Sequence, residues 1–114
     1  IHMDDVSSAL IKIIEKGEVG ATYHISPEDS ISIVDLASQI GRLIGIDPKK
    51  DLYYMSDDRI GKDQAYLLDS TFIRKNLCWE QNIPLEYGLE RSLEWVERNL
   101  EYFSTLDATY HHKS

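Results

Sequence analysis

Arg59 and Lys62 are the residues of this 114-residue chain whose types and spacing invite chemistry. They lie in a polar, glycine-containing stretch, 56–64, beside Asp57, Asp58 and Asp63. A planar guanidinium can grip two phosphate oxygens at once, and an ammonium group nearby adds a second cation. The same arginine can instead pair with its aspartates in solvent, an arrangement that contributes little energy. On residue types alone, the aspartate pairing is the simpler reading.

Other reactive side chains form no catalytic pattern. His2, His24, His111 and His112 share no metal-ligand spacing with Asp, Glu or Cys on one helix face. His111 and His112 sit in a tail and read as a solvated pair. Asp4-Asp5 and Asp57-Asp58 are sequence neighbours, so their side chains point apart, which is poor geometry for shared acid/base work. Cys78, the single cysteine, excludes an intramolecular disulfide and a cysteine-rich zinc site. Beside Trp79 it is expected to be a small buried hydrophobe. A Gly-x-Gly-x-x-Gly turn after a strand is missing, and Gly17 with Gly20 reads as a turn. Gly61-Lys62 lacks the upstream glycine and the following Ser or Thr of a Walker loop. The expectation is a chain with no catalytic residue and no cofactor site of its own.

The elements that must carry these residues follow from periodicity. Val6, Ala9, Leu10, Ile13 and Ile14 recur at helical spacing over 4–16, with Asp4 and Asp5 suited to its start. Residues 21–26 alternate and are rich in β-formers, which predicts a short strand. Ser32, with Asp35 three residues on, should cap a helix whose apolar face is Ile33, Leu36, Ala37, Ile40, Leu43 and Ile44, ending at Gly45. Residues 52–55 read as a second strand and 65–68 as a short extended stretch. Asp69 or Ser70 can cap a helix over 71–77. A last helix, about 85–103, carries the stripe Leu89, Leu93, Val96, Leu100 and Phe103. Tyr23 and Trp79 are expected in the core, and Trp95 is expected to anchor the last helix. Beyond Ser104 no period remains, and this tail is expected to be mobile or to depend on contacts outside the chain. The resulting fold class is α+β: about four helices and two or three short strands, too few for a doubly wound sheet.

Composition agrees with one small domain over residues 1–114. Hydrophobic residues make up 42% and charged residues 28%, enough for one modest core. The 20 acidic against 12 basic side chains give a net charge of −8. That balance argues against nucleic acid, whose backbone needs clustered cations, yet permits a small phosphorylated ligand. No apolar run approaches the roughly 18 residues of a helical membrane span. Asp4 and Asp5 stand where a signal peptide carries positive charge, and with a single cysteine a reducing cytoplasm is the expected setting.

Three stretches, read together, resemble a family. Ile1-His2-Met3-Asp4-Asp5-Val6, followed by Gly20-Ala21-Thr22-Tyr23-His24-Ile25, is similar to the "W-I-H-V-D-D-V … G-E-x-Y-N-I-G" passage of extended short-chain dehydrogenase/reductases acting on nucleotide sugars. Asp58-Arg59-Ile60-Gly61-Lys62-Asp63-Gln64-Ala65-Tyr66, then Asp69 through Trp79, resembles "D-R-P-G-H-D-x-R-Y … D-x-S-K-I-R-x-x-L-G-W". Pro84 through Leu89, with Glu94-Trp95, matches "x-x-E-x-G-L-x-x-T-V-E-W". The likeness runs to about Phe103. The Asp-Arg-x-Gly-x-Asp loop points within the family to the dTDP-glucose 4,6-dehydratase type.

The resemblance implies the C-terminal, substrate-binding portion of an NAD-dependent nucleotide-sugar dehydratase or epimerase. NAD and the Tyr-x-x-x-Lys pair would belong to an N-terminal Rossmann domain upstream of Ile1. This portion would cover the nucleotide diphosphate, which turns the reading of Arg59 from aspartate pairing to phosphate binding. Lys62 stands where the family has His, and His24 where it has Asn; with Arg59 they are the substrate-binding candidates. Ile60 replaces a Pro, and Cys78 replaces the Gly that closes the helix. An apolar face left by the missing domain would allow self-association. The competing reading is a free-standing acidic α+β module that binds a protein partner.

Overall fold

A computed structural model describes residues 1–55, 61 and 63–106. Among these residues, five α-helices and one π-helical turn follow in chain order: α1 (Met3–Lys16), α2 (Ile33–Leu43), the π turn (Pro48–Leu52), α3 (Thr71–Leu77), α4 (Leu85–Arg98) and α5 (Leu100–Ser104).

Helix ends are set by local chemistry. At α1 the cap is His2 rather than an aspartate, its Nδ1 accepting the Asp4 N–H at 3.1 Å. Asp4 and Asp5 fill the first turn, where carboxylates suit the helix dipole. Ser32 caps α2 as expected: its Oγ accepts the Asp35 N–H at 3.0 Å, and its hydroxyl donates to the Asp35 carboxylate at 2.6 Å. Asp69 closes the start of α3 through the Thr71 N–H at 2.8 Å, while Ser70 makes no side-chain cap. The last helix breaks at Asn99 into α4 and α5, where the Asn99 side chain donates to the Trp95 carbonyl at 2.7 Å. Asp47 accepts the Lys49 N–H and starts the π turn, which takes Leu52 from the strand expected over 52–55.

The expected α+β class is not what folds. Among the described residues there is no strand, and the described chain is helical with irregular connections. Residues 21–26 and 65–68 come together, yet only the Ser26 hydroxyl, donating to the Leu68 carbonyl at 2.9 Å, is seen to join them. No backbone–backbone bond links the two stretches among the described residues. Alternation of side chains marks a segment that can be a strand; a ladder also needs a neighbour offering N–H and C=O groups in register. Tyr53 has strand-like dihedrals, φ −146° and ψ 160°, without such a neighbour.

The core is small. Ala9 of α1, Ile73 and Leu77 of α3, and Trp79 are buried, with Ile13, Tyr23 and Ile25 packed against them. The indole N–H of Trp79 is satisfied by the Asp5 carbonyl at 3.2 Å and the Ser8 hydroxyl at 3.0 Å. Arg74 lies over the same ring, 4.8 Å from its centroid. Tyr23 packs against Phe72 with ring centroids 5.2 Å apart. Trp79 and Tyr23 therefore join the core as expected. Trp95 does not anchor its helix in a core: it is 58% exposed and stacks edge-on with Phe103, 5.5 Å away.

One correction concerns α3. Cys78 is exposed rather than buried. It is the C-cap, with φ 47° and ψ 42°, the one non-glycine residue with positive φ among those described. A left-handed residue at a helix end turns its side chain outward, which overrides the preference of a thiol for the interior. Lys12 of α1 completes this end, donating to the Leu77 carbonyl at 3.3 Å and the Cys78 carbonyl at 2.8 Å.

On the far side, Gly41 of α2 lies against the ring of Pro48; a Cβ there would come within 2.5 Å of Cγ. Large apolar side chains remain in solvent, among them Ile14 (83%), Ile33 (80%) and Tyr66 (85%). Such faces mark surfaces that normally meet another part of a protein.

Candidate functional site

Of the three candidate substrate-binding residues, Arg59 and Lys62 lie outside the described residues, as do Asp57, Asp58 and Ile60. What the structure describes is the frame on either side of their loop. On the entering side, the Tyr53 and Ser38 hydroxyls lie 3.4 Å apart, tying the loop's first flank to α2. Within the stretch, Gly61 adopts φ 80°, which favours glycine. On the leaving side, the Tyr66 hydroxyl donates to the Asp63 carboxylate at 2.9 Å, and Leu68 meets Ser26.

His24 lies on 21–26 and is exposed. The Asp69 carboxyl is held below its ordinary value chiefly by the Thr71 hydroxyl, then by the Thr71 backbone N–H, with smaller contributions from the charges of His24 and Lys75.

The Asp4-Asp5 pair divides its labour. Asp4 pairs with Arg91 of α4 at 2.7 Å on the surface. Asp5 is 2% exposed, and its carboxylate accepts the Asn82 N–H at 2.9 Å and the Ile83 N–H at 3.1 Å. It thereby pins the turn between Trp79 and α4. The two carboxylates diverge, in keeping with the expectation from their adjacency, and Asp5 is structural.

Sequence reasoning passed over Arg74. Its Nη2 donates to the Ser26 carbonyl at 3.1 Å and its Nε to the Ser70 hydroxyl at 3.0 Å, while Glu28 stands 3.8 Å from Nε. The Ser70-to-Arg74 spacing on one helix face, followed by a tryptophan, was the available signal. Arg74 also borders a cavity of about 490 Å³ between 27–31 and the starts of α1 and α4, shared with His2, Glu28, Asn82 and Leu85. Its walls mix the Arg74 cation, acidic groups, serine hydroxyls and aliphatic side chains.

No group of three or more His, Cys, Asp or Glu could hold a metal ion among the described residues. None of the described helices is long and apolar enough to cross a membrane.

No family model matches the chain. Individual proteins do. The dTDP-glucose 4,6-dehydratase of Mycobacterium tuberculosis is 33% identical over 111 residues, which are 96% of this chain and 33% of that enzyme. A trifunctional UDP-glucose 4,6-dehydratase/UDP-4-keto-6-deoxy-D-glucose 3,5-epimerase/UDP-4-keto-L-rhamnose-reductase of Arabidopsis thaliana is 33% identical over 103 residues, 90% of this chain and 15% of that protein. The dTDP-glucose 4,6-dehydratase of Escherichia coli is 26% identical over 120 residues, again 96% of this chain and 33% of the enzyme. The chain thus spans a third or less of the length of these curated relatives. It is therefore similar over 90–96% of its length to nucleotide-sugar 4,6-dehydratases and matches 15–33% of theirs, as a portion of such an enzyme would.

Proposed function

We propose that this chain is the C-terminal, nucleotide-sugar-binding portion of an NAD-dependent 4,6-dehydratase or epimerase and is not catalytic by itself. Arg59 grips the diphosphate through its planar fork, Lys62 supplies a second cation, and His24 joins them as a substrate-binding residue. NAD and the acid/base groups reside on a Rossmann domain elsewhere in the polypeptide, which covers the apolar faces left in solvent here. The intact enzyme oxidises the hexose transiently and then eliminates water or inverts a centre, in a reducing cytoplasm.

The observation that carries this reading is the likeness to dehydratases over 90–96% of the chain, against a third or less of their length. The described frame supports it: both flanks of the Arg59 loop are fastened by side-chain hydroxyls, so that a cationic loop would be presented from a fixed base. The exposed faces of α1 and α2 fit cover by the rest of one polypeptide.

Calorimetry with UDP and dTDP tests it. In the full-length protein, Arg59→Ala should weaken diphosphate binding by about ten- to a hundredfold, the loss expected of a charge-assisted contact. The chain of 114 residues alone should bind weakly or not at all. Sub-micromolar affinity of the isolated chain, or no effect of Arg59→Ala, contradicts the reading.

A further inference from the structure

The cavity of about 490 Å³ between 27–31 and the starts of α1 and α4 falls within the roughly 300–1,000 Å³ of small-molecule sites. Two of its wall residues carry opposite charges and are held very differently. Arg74 is fixed: Nε donates to the Ser70 hydroxyl, Nη2 to the Ser26 carbonyl, and the guanidinium lies over the buried ring of Trp79. Only 17% of its side chain is exposed, and Nη1 makes no hydrogen bond among the described residues. Glu28 is loose. Its side chain is 76% exposed, and its carboxylate stops 3.8 Å from Arg74 Nε, beyond hydrogen-bond distance. An ion pair of that length and exposure contributes little, so both charges keep unmet capacity.

His2 adds a donor to the same cavity. Its Nδ1 accepts the Asp4 N–H at 3.1 Å, so in the neutral ring the proton sits on Nε2, which has no partner among the described residues. Ile31, Ile83, Leu85 and Leu89 make the wall largely aliphatic. A carboxylate by itself would be repelled by Glu28, and an ammonium group by itself would be repelled by Arg74. An α-amino acid carries both charges on one carbon and can satisfy guanidinium and carboxylate together.

We infer that this cavity binds a small aliphatic α-amino acid. Its carboxylate meets Arg74 Nη1 and His2 Nε2, its ammonium group meets Glu28, and its hydrocarbon side chain lies against Ile31, Ile83, Leu85 and Leu89. Two charge-assisted contacts then replace one long ion pair. None of these groups is among the proposed nucleotide-sugar contacts.

Calorimetry on the full-length protein tests this with three probes: L-leucine, isocaproate, which lacks the ammonium group, and isoamylamine, which lacks the carboxylate. Leucine should bind, and each analogue should bind about ten- to a hundredfold more weakly, the loss expected of one charge-assisted contact. Glu28→Gln, at an exposed position where folding is not at stake, should weaken leucine by a similar factor and leave isocaproate no weaker. No binding of leucine, equal affinity for the three probes, or leucine binding indifferent to Glu28→Gln overturns the inference.

Discussion

Replacing Cys78 with glycine should make the protein more stable, although it deletes a side chain. Cys78 holds φ 47° and ψ 42° at the end of α3. For an L-residue this conformation brings Cβ close to the carbonyl oxygen and costs roughly 1–2 kcal/mol; glycine carries no such penalty. Against this, glycine gives the unfolded chain more freedom, a loss of about 0.4–1 kcal/mol. Little else changes: the thiol is exposed, and Lys12 bonds to the carbonyl of residue 78, which glycine retains. The expected net gain is about 0.8 kcal/mol, the difference between the midpoints of those two ranges. The assay is urea unfolding, comparing midpoints at an unchanged slope. Cys78→Val provides the opposite sign, since a β-branched side chain is still less tolerant of positive φ, and should lose about 1 kcal/mol. A glycine variant no more stable than the parent, or a valine variant equal to it, refutes the strain argument.

Two further outcomes follow from buried and capping carboxylates. Asp5→Asn turns one acceptor oxygen into a donor facing a backbone N–H of the 82–83 turn; it should cost about 2–3 kcal/mol and accelerate hydrogen exchange at Asn82 and Ile83. Asp69 has a folded pKa below its ordinary value, so its support of α3 is present at and above the ordinary carboxylate range and is lost only as pH falls through the lowered value. In an NMR titration the Thr71 amide should shift with a midpoint below that of an unperturbed aspartate, and Asp69→Asn should abolish the shift.

The helices were legible because their determinants are local. Apolar spacing marked α1, α2 and α4, cap candidates marked α3, and Ser32 with Asp35 marked a cap that forms as read. The αL end of α3 was foreshadowed by a cysteine standing where the family has glycine, though the same residue was expected inside. The strands failed because 21–26 and 52–55 have the composition of strands but no partner among the described residues, and pairing is not a property of one segment. The candidate site divides in the same way. Its cations were named from their types and from the motif around them, and they lie outside the described residues.

What sequence by itself determined is therefore the set of helices, their principal caps and the kinship, since each rests on neighbours within a few residues or on the order of motifs. Tertiary structure alone decided that Asp5 reaches the 82–83 turn, that Lys12 closes α3, and that Arg74 joins Trp79 to Ser26. The hydrogen bonds among these contacts link residues 48 to 78 positions apart, and only a folded core brings such groups within 3 Å or so of one another.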